Sequence, residues 1–299
     1  MTLRLATRGS PLALWQARHV ASGLACECDL VVIETSGDRR QDRPVWEIGG
    51  QGVFVKEVQA AVLEGRADAA VHSAKDLPSR SAAGLGIAAV PPRADPRDVL
   101  IGSRLSDLAP GAPVATGSVR RRAQLAWVRP DLTFLSLRGN IATRLDRIPP
   151  GGAIVMAAAA LERLDLSPPV AEILSPSVML PQVAQGAIAV ECRSSDDATG
   201  RLLAAIDDPG VRPGVDAERA YLARLGGGCD LPVGAHATLS AGGELVLDAL
   251  LASLDGRVML RSSARGPVSD AAALGAGLAE QLLDRGGRSL LAEAGMALS

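Results

Sequence analysis

Aromatic residues are nearly missing from this chain of 299 residues: Phe, Trp and Tyr make up 2% of it, against 47% hydrophobic residues in all. Proteins that hold nucleic acid by stacking bases need such platforms, so their scarcity argues against a nucleic-acid partner. An excess of one charge is missing too. With a formal net charge of -2, attraction for an anionic partner has to come from local arginine clusters and not from the whole surface. No apolar run is long enough to span a bilayer, and "MTLRLATRGSPLALW" lacks the charged, apolar and small-residue succession of a secretory signal. A cytoplasmic protein without a membrane partner is the expectation. Cys26, Cys28, Cys192 and Cys229 have neither the density of a disulfide scaffold nor the CxxC spacing of a structural zinc site, so no metal is expected.

What is present is an aliphatic chain too long for one ordinary domain. Up to about residue 205, short β-branched or apolar runs alternate with helical periodicity, the pattern of α/β architecture. The strands read as "LRLAT", "DLVVIET", "ADAAVHS", "GIAAV", "PVATG", "LTFLSL" and "GAIVMAA", with helices over 11–24, 54–64 and 119–128. In the second helix Val55, Val58 and Val62 recur at helical spacing before Gly65 stops it. An internal echo links "LATRGSPLALWQA" with "VATGSVRRRAQLA": both run from a strand through Ala-Thr and a Gly-Ser pair into a helix, whose N-terminal N–H groups suit an anion. Two such lobes facing each other would form a cleft. The chain is expected to cross between them at "VPPRADPRDV" and return near "LPQVAQG". Beyond "DDPGVRPG" the pattern becomes a helix ended by glycine, three antiparallel strands turning at Gly242-Gly243 and Asp255-Gly256, and a final helix over 269–286. The expected domains are 1–91 with 187–205, 97–181, and 209–299.

Three features carry chemistry. The stretch "RLGGGCDLPVGAH" sets Cys229 behind three glycines, on an accessible loop suited to an attachment point or nucleophile, whereas Cys192 sits in the apolar run "AIAVECR". Arginines gather at loop-to-helix junctions: Arg8, Arg120, Arg121, Arg122, Arg138, Arg144 and Arg163. A guanidinium grips a carboxylate or phosphate with two parallel hydrogen bonds, so the cluster implies a polyanion, though any single arginine can be a solvated helix-face charge. Binding is favoured for Arg120 and Arg121 at their Gly-Ser helix start, and exposure for Arg122. Third, the strand in "AVHSAKDLP" delivers Ser73, Lys75 and Asp76 to its C-terminal end, where open α/β sheets bind ligands. An Asp before Leu77-Pro78 is commonly a turn or N-cap residue. In an arginine-lined cleft, however, a carboxylate is better explained by positive charge that develops during a reaction. His72 reads as a packed strand residue.

These segments, with "FVKE", "DPRD", "LRGNIATRL" and "LPQVAQGAIAVECR", occur in an order that closely resembles the porphobilinogen deaminase family over essentially the full chain. The resemblance implies two α/β lobes like those of type II periplasmic binding proteins, joined by a hinge, and a C-terminal α+β domain carrying a dipyrromethane as a thioether on Cys229. It implies a transferase of tetrapyrrole and heme biosynthesis: porphobilinogen loses ammonia to give an azafulvene, the bound pyrrole chain attacks it, and four additions precede hydrolytic release of hydroxymethylbilane. Asp76 matches the catalytic aspartate. Each pyrrole carries an acetate and a propionate, and by resemblance Arg8, Ser10, Ser73, Lys75, Ser118, Arg120, Arg121, Arg138, Arg144, Arg163 and Gln185 contact cofactor, porphobilinogen or the growing polypyrrole. Lys56 falls to a mobile loop closing over the site, and a monomer is implied. The chain departs from the family at Gln51, often lysine in bacterial relatives, and at Gly117, commonly serine.

Two other readings remain at this level. A two-lobed anion receptor without catalysis explains the lobes and arginines but leaves the third domain and its thiol unexplained. A thiol hydrolase using Cys229 with His72 or His236 lacks any local signature around those histidines.

Overall fold

A computed structural model describes residues 2–39, 52–227 and 231–293. The chain forms two compact units, Met1–Ala94 with Gly186–Arg212, and Asp95–Gln185 with Pro213–Ser299. In the first, β1 (Leu3–Arg8), β2 (Cys28–Ile33), β3 (Ala69–Ser73) and β4 (Leu85–Ala89) are joined by a late strand, Ile188–Arg193, in the order β2-β1-β3-(188–193)-β4. β1 lies parallel to β2 and β3, while the late strand runs antiparallel to both its neighbours. Strand periodicity explains why β1 is buried on both faces. Leu3 and Leu5 point to one face, against Ala17, Val20 and Leu203, while Ala6 points to the other, against Val58, Ala61 and Val62 of the helix Lys56–Leu63.

The second unit repeats this plan. β5 (Asp98–Ile101), β6 (Pro113–Ala115), β7 (Thr133–Leu135), β8 (Ala153–Ala157) and β9 (Ala171–Ile173) assemble as β7-β6-β8-β5-β9. Again four of the five strands run one way and one, β5, runs antiparallel to both its neighbours. With Ile188–Arg193 numbered β10, the antiparallel strand in each sheet is the first one after the chain enters that unit. The internal echo is thus a repeat of topology, each lobe being an open α/β sheet with one antiparallel strand. The sequence pattern did not announce β5 or β9. β5 is a four-residue strand buried along its whole length and hidden behind prolines, and β9 has only three residues.

The rest of the second unit is α+β. A helix, Arg212–Leu225, leads to the antiparallel sheet β11 (Val233–Leu239), β12 (Leu245–Ala252) and β13 (Met259–Gly266). Tyr221 is buried and donates its hydroxyl to the Leu250 carbonyl at 2.8 Å. The C-terminal helix, expected over 269–286, runs as Ala271–Leu282 and continues through a wider helical turn, Leu283–Gly287, to a kink at Gly286, with φ 108°, before a further helix Arg288–Glu293.

This sheet is welded to the lobe beside it. Leu250 and Ala252 of β12 pack with Ala123 and Leu180, and Arg261 of β13 donates to the carbonyls of Ser177 and Pro176 at 2.5 and 2.7 Å. Ala123 belongs to the helix Val119–Val128, which also bears Arg120 and Arg121, so the seam buttresses the arginine helix. Leu250 is fully buried there, and Leu250→Ala should cost about 3 kcal/mol of unfolding free energy, the usual toll of a large-to-small core change. Denaturant unfolding checks this; a loss below about 1 kcal/mol would show that the seam is not a principal contact.

Candidate active site

In the first lobe the carboxyl ends of β1 and β3 are neighbours, and they bring several expected residues to one edge of the sheet. Ser10 caps the helix Pro11–Gly23 by accepting the Ala13 N–H, and Pro11 occupies the first turn, where its missing N–H is harmless. The Arg8 guanidinium pairs with Asp38 and lies 4.2 Å over the Phe54 ring. Thr35 donates its hydroxyl to the same carboxylate at 2.7 Å. Burial raises the Asp38 pKa, but the hydrogen bonds from Arg8 and Thr35 outweigh it and hold the carboxyl below its ordinary range. Asp38 had no local sequence signal; only the fold brings it to Arg8.

β3 ends at Ser73, whose hydroxyl accepts from the Gln16 amide at 2.8 Å, and a single 3-10 turn, Ala74–Asp76, follows. Lys75 and Asp76 are half-buried in that turn. The Asp76 carboxylate makes no hydrogen bond or ion pair with any described residue, in contrast to Asp38, Asp68 and Asp98. Behind the strand, His72 is buried with Nε2 3.3 Å from Glu191 Oε2, and Gln59 donates to the same oxygen at 2.8 Å. It is a packed strand residue, as expected. Lys56, which the resemblance assigns to a mobile loop, opens the helix Lys56–Leu63, in keeping with the helix expected over 54–64. The Gly52 carbonyl accepts the N–H of both Val55 and Lys56, and buried Val55 anchors the turn, so the chain is already coiling there.

In the second lobe Ser118 caps the helix Val119–Val128 by accepting the Arg121 N–H, the counterpart of Ser10. The guanidinium groups of Arg120 and Arg121 are both buried, and they share one carboxylate. Asp98 Oδ2 accepts from Arg120 Nη2 at 2.7 Å, and Oδ1 accepts from Arg121 Nε and Nη2 at 3.0 and 2.8 Å. Gln185 Nε2 donates to Asp98 Oδ1 at 2.9 Å and to the Pro96 carbonyl at 2.7 Å. The Leu180 and Val155 carbonyls take further donors from Arg120 and Arg121. Burial raises the Asp98 pKa, but the charges of Arg120 and Arg121 and the Gln185 amide outweigh it, and the carboxyl lies at about 2. Sequence reasoning treated the two arginines as ligand-facing and missed Asp98, although it stands in the quoted "DPRD". Its signal was an acid opening an apolar strand near an arginine run.

Other expected residues spread over the same lobe. Arg144 Nε donates to the Gly139 carbonyl at 2.8 Å in the turn capped by Asn140. Arg138 keeps one buried guanidinium nitrogen, Nη1, without a partner among the described residues, and Arg120 Nε is in the same position. Arg163 is buried at the end of the helix Ala158–Arg163, and burial, opposed by Glu162, brings its pKa down to about 10. Arg122 is exposed, as expected, with its guanidinium 5.9 Å from the Phe134 ring centre. Gly117 has a steric reason: a Cβ there would stand 2.7 Å from the Leu137 carbonyl oxygen, so serine would force this backbone to shift.

The helix Arg212–Leu225 ends at Gly226, with φ 72°, a left-handed turn that glycine takes without strain. At Gly227 a Cβ would lie 2.0 Å from Leu231 Cδ1. Gly226 and Gly227 thus answer to a turn and a close contact. Cys229 and Gly228 lie outside the described residues, as does Gln51. Cys26, Cys28 and Cys192 are free thiols. Burial, with Cys26 adding to it, pushes the Cys28 thiol up to about 11, which makes its thiolate scarce at neutral pH.

Replacing Asp98 by Asn leaves two buried guanidinium groups without a counter-charge, and at pH 7 it should cost about 3–5 kcal/mol of stability. Because the folded pKa of about 2 lies below the ordinary 3.8, the stabilisation is full above pH ~4 and fades as the pH falls toward ~2. Asp98→Asn should flatten the acid limb of the stability curve in that window. A wild-type acid limb in the variant would contradict the coupling.

Two sequence families match the chain in tandem: "Porphobilinogen deaminase, dipyromethane cofactor binding domain" over residues 3–201, and "Porphobilinogen deaminase, C-terminal domain" over residues 214–284. A porphobilinogen deaminase from Roseiflexus castenholzii is 50% identical, over 97% of this chain and 99% of its own. One from Pelobacter propionicus is 45% identical, over 97% of this chain and 96% of its own. Among solved structures, an amino acid ABC transporter substrate-binding protein from Streptococcus pneumoniae aligns at 14% identity with a TM-score of 0.41, over 72% of this chain and 90% of its own. With both halves of the family's sequence matched in order, and about half of all positions shared with relatives along nearly its whole length, the chain belongs to the porphobilinogen deaminase family.

Proposed function

We propose that the chain carries out the reaction of its family with Asp76 as the catalytic carboxylate, Cys229 as the cofactor anchor and the arginines as holders of pyrrole carboxylates. The activity is a transferase activity: four porphobilinogen molecules are condensed head to tail with loss of ammonia, and hydrolysis releases hydroxymethylbilane. The dipyrromethane cofactor, when bound, supplies the pyrrole carbon to which the first porphobilinogen is joined. The residues present suit such a group. It offers four carboxylates and two pyrrole N–H groups, while the chain offers buried guanidinium N–H donors on Arg120 and Arg138 that have no acceptor among the described residues, and on Asp76 a carboxylate that has no donor among them.

The observation that carries this reading is the uncommitted carboxylate at the end of β3. Loss of ammonia leaves positive charge shared with the porphobilinogen pyrrole nitrogen. The Asp76 carboxylate accepts that N–H and offsets the charge, and because no partner among the described residues has to be released first, little reorganisation accompanies the step. Arg8, already stacked and paired, and Arg121, already held by Asp98, bind carboxylates as fixed groups and lose little side-chain freedom. Ser10, Ser73 and Ser118 add hydroxyls at the strand ends, while Lys56, Lys75, Arg144, Arg163 and Gln185 complete the set. The division into 1–91 with 187–205, 97–181 and 209–299 belongs to the same reading and is supported by a separate sheet in each part.

No helix among the described residues is long and apolar enough to cross a membrane. We further propose a monomer in the cytoplasm, where free thiols at Cys26, Cys28 and Cys192 are in keeping with a reducing compartment.

Asp76→Asn keeps the side-chain shape and removes the charge, so turnover of porphobilinogen should fall by about 10²–10³ or more with unchanged circular dichroism. Near-normal turnover would exclude an essential role. Cys229→Ser should lack the mass of two pyrrole units carried by the wild-type protein, because a hydroxyl is scarcely ionised at neutral pH. The same adduct mapped to another cysteine would overturn the anchor.

A further inference from the structure

Ala184 adopts a φ of 56°, in the left-handed region that disfavours every residue with a side chain except, by degrees, Asn and Asp. It sits immediately before Gln185, whose amide grips Asp98 and the Pro96 carbonyl. Such a conformation persists only where the surroundings over-determine it. The restraint comes from Glu218, fully buried in the helix Arg212–Leu225. Its Oε2 accepts the Ala184 N–H at 2.6 Å, and its Oε1 accepts the Ala237 N–H of β11 at 2.8 Å. The opposite end of the same segment is held as well: the Pro181 carbonyl accepts the Ala235 N–H at 3.1 Å, and the Leu180 carbonyl accepts from Arg120 and Gln124.

We propose that Glu218 is a positioning residue for the reaction: by holding Ala184 left-handed it aims Gln185 at Asp98, and through Asp98 it sets the Arg120 and Arg121 guanidinium groups. A right-handed or extended Ala184 sends the following backbone elsewhere and takes the Gln185 amide off the carboxylate. Asp98 then loses a donor at the very oxygen that Arg121 uses. The C-terminal part of the chain thereby acts on the arginine helix twice, by packing at Leu250 and by this hydrogen bond. The role of Glu218 rests on the reading of Arg120 and Arg121 as carboxylate holders.

Steady-state kinetics of the holoenzyme test it. Glu218→Gln keeps the size and one acceptor but turns an NH₂ toward one of the two backbone donors. It should raise KM for porphobilinogen about tenfold, the equivalent of about 1.4 kcal/mol, with kcat within about twofold of wild type. Adding Ala184→Gly to that variant should bring KM back to within about twofold, because glycine takes this φ without support. Ala184→Val, with Glu218 intact, should raise KM as well, since a β-branched residue resists the left-handed region; it decides the matter if Glu218→Gln does not fold. An unchanged KM in Glu218→Gln, or a glycine that restores melting temperature but not KM, overturns the positioning role. Arg121→Ala is measured alongside. If it leaves KM unchanged, the reading of the arginines fails and this role with it; if it raises KM while Glu218→Gln and Ala184→Val do not, the positioning role alone fails.

Discussion

Two guanidinium groups shut away from water cannot stand side by side without a counter-charge, because the desolvation of each is uncompensated. Arg120 and Arg121 are in that situation, and Asp98 is the carboxylate that resolves it, with one oxygen for the first and the other for the second. Much else in the second unit serves this arrangement. β5 delivers Asp98 to the carboxyl end of β8 by running antiparallel to it, with Asp98 opposite Ala157. Ser118 starts the helix at the turn that brings both arginines inward. Gln185, on the segment where the chain leaves the unit, donates to the carboxylate, and the C-terminal sheet packs on the same helix. The arginine cluster thus contains an anion of its own, which holds the cations in place.

The first lobe uses the same device in a lighter form. Arg8 ends β1 two residues before the Ser10 cap, and Asp38 and the Phe54 ring hold its guanidinium from two sides. Both lobes therefore combine a strand end, a serine-capped helix and an arginine fixed by an aspartate. Asp76 stands apart from this pattern. Among the described residues, no restraint like those on the arginines acts on its carboxylate.

Much of this could be read from the amino-acid sequence, and the part that could not has a common cause. Runs such as "LRLAT" and "GAIVMAA" announced β1 and β8 because burial on both faces demands unbroken apolar residues, and the spacing of Val58 and Val62 announced the helix against β1. The ordered motifs were specific enough to place the chain in its family. By contrast, the partners of the arginines come from far away in the chain: Asp38 lies 30 residues from Arg8, and Asp98 lies 23 from Arg121. No local pattern encodes such a pairing. The same holds for the hold of Glu218 on Ala184, 34 residues apart. Gly117 read as the loss of a hydroxyl, whereas the close approach of the Leu137 carbonyl gives its side-chain-free position a steric reason. Short β5 has neither the length nor the alternation that marks a strand, and in sequence it merges with the crossing between lobes.

The central claim is that the arginines are set by the protein itself and not gathered by the ligand. It is tested most directly by a crystal structure of the Cys229→Ser protein purified without cofactor. The account predicts both guanidinium groups on Asp98, at hydrogen-bond distances like the 2.7 and 2.8 Å found here, and the Gln185 amide beside them. Arginines turned away from an Asp98 that faces water or another partner would contradict it.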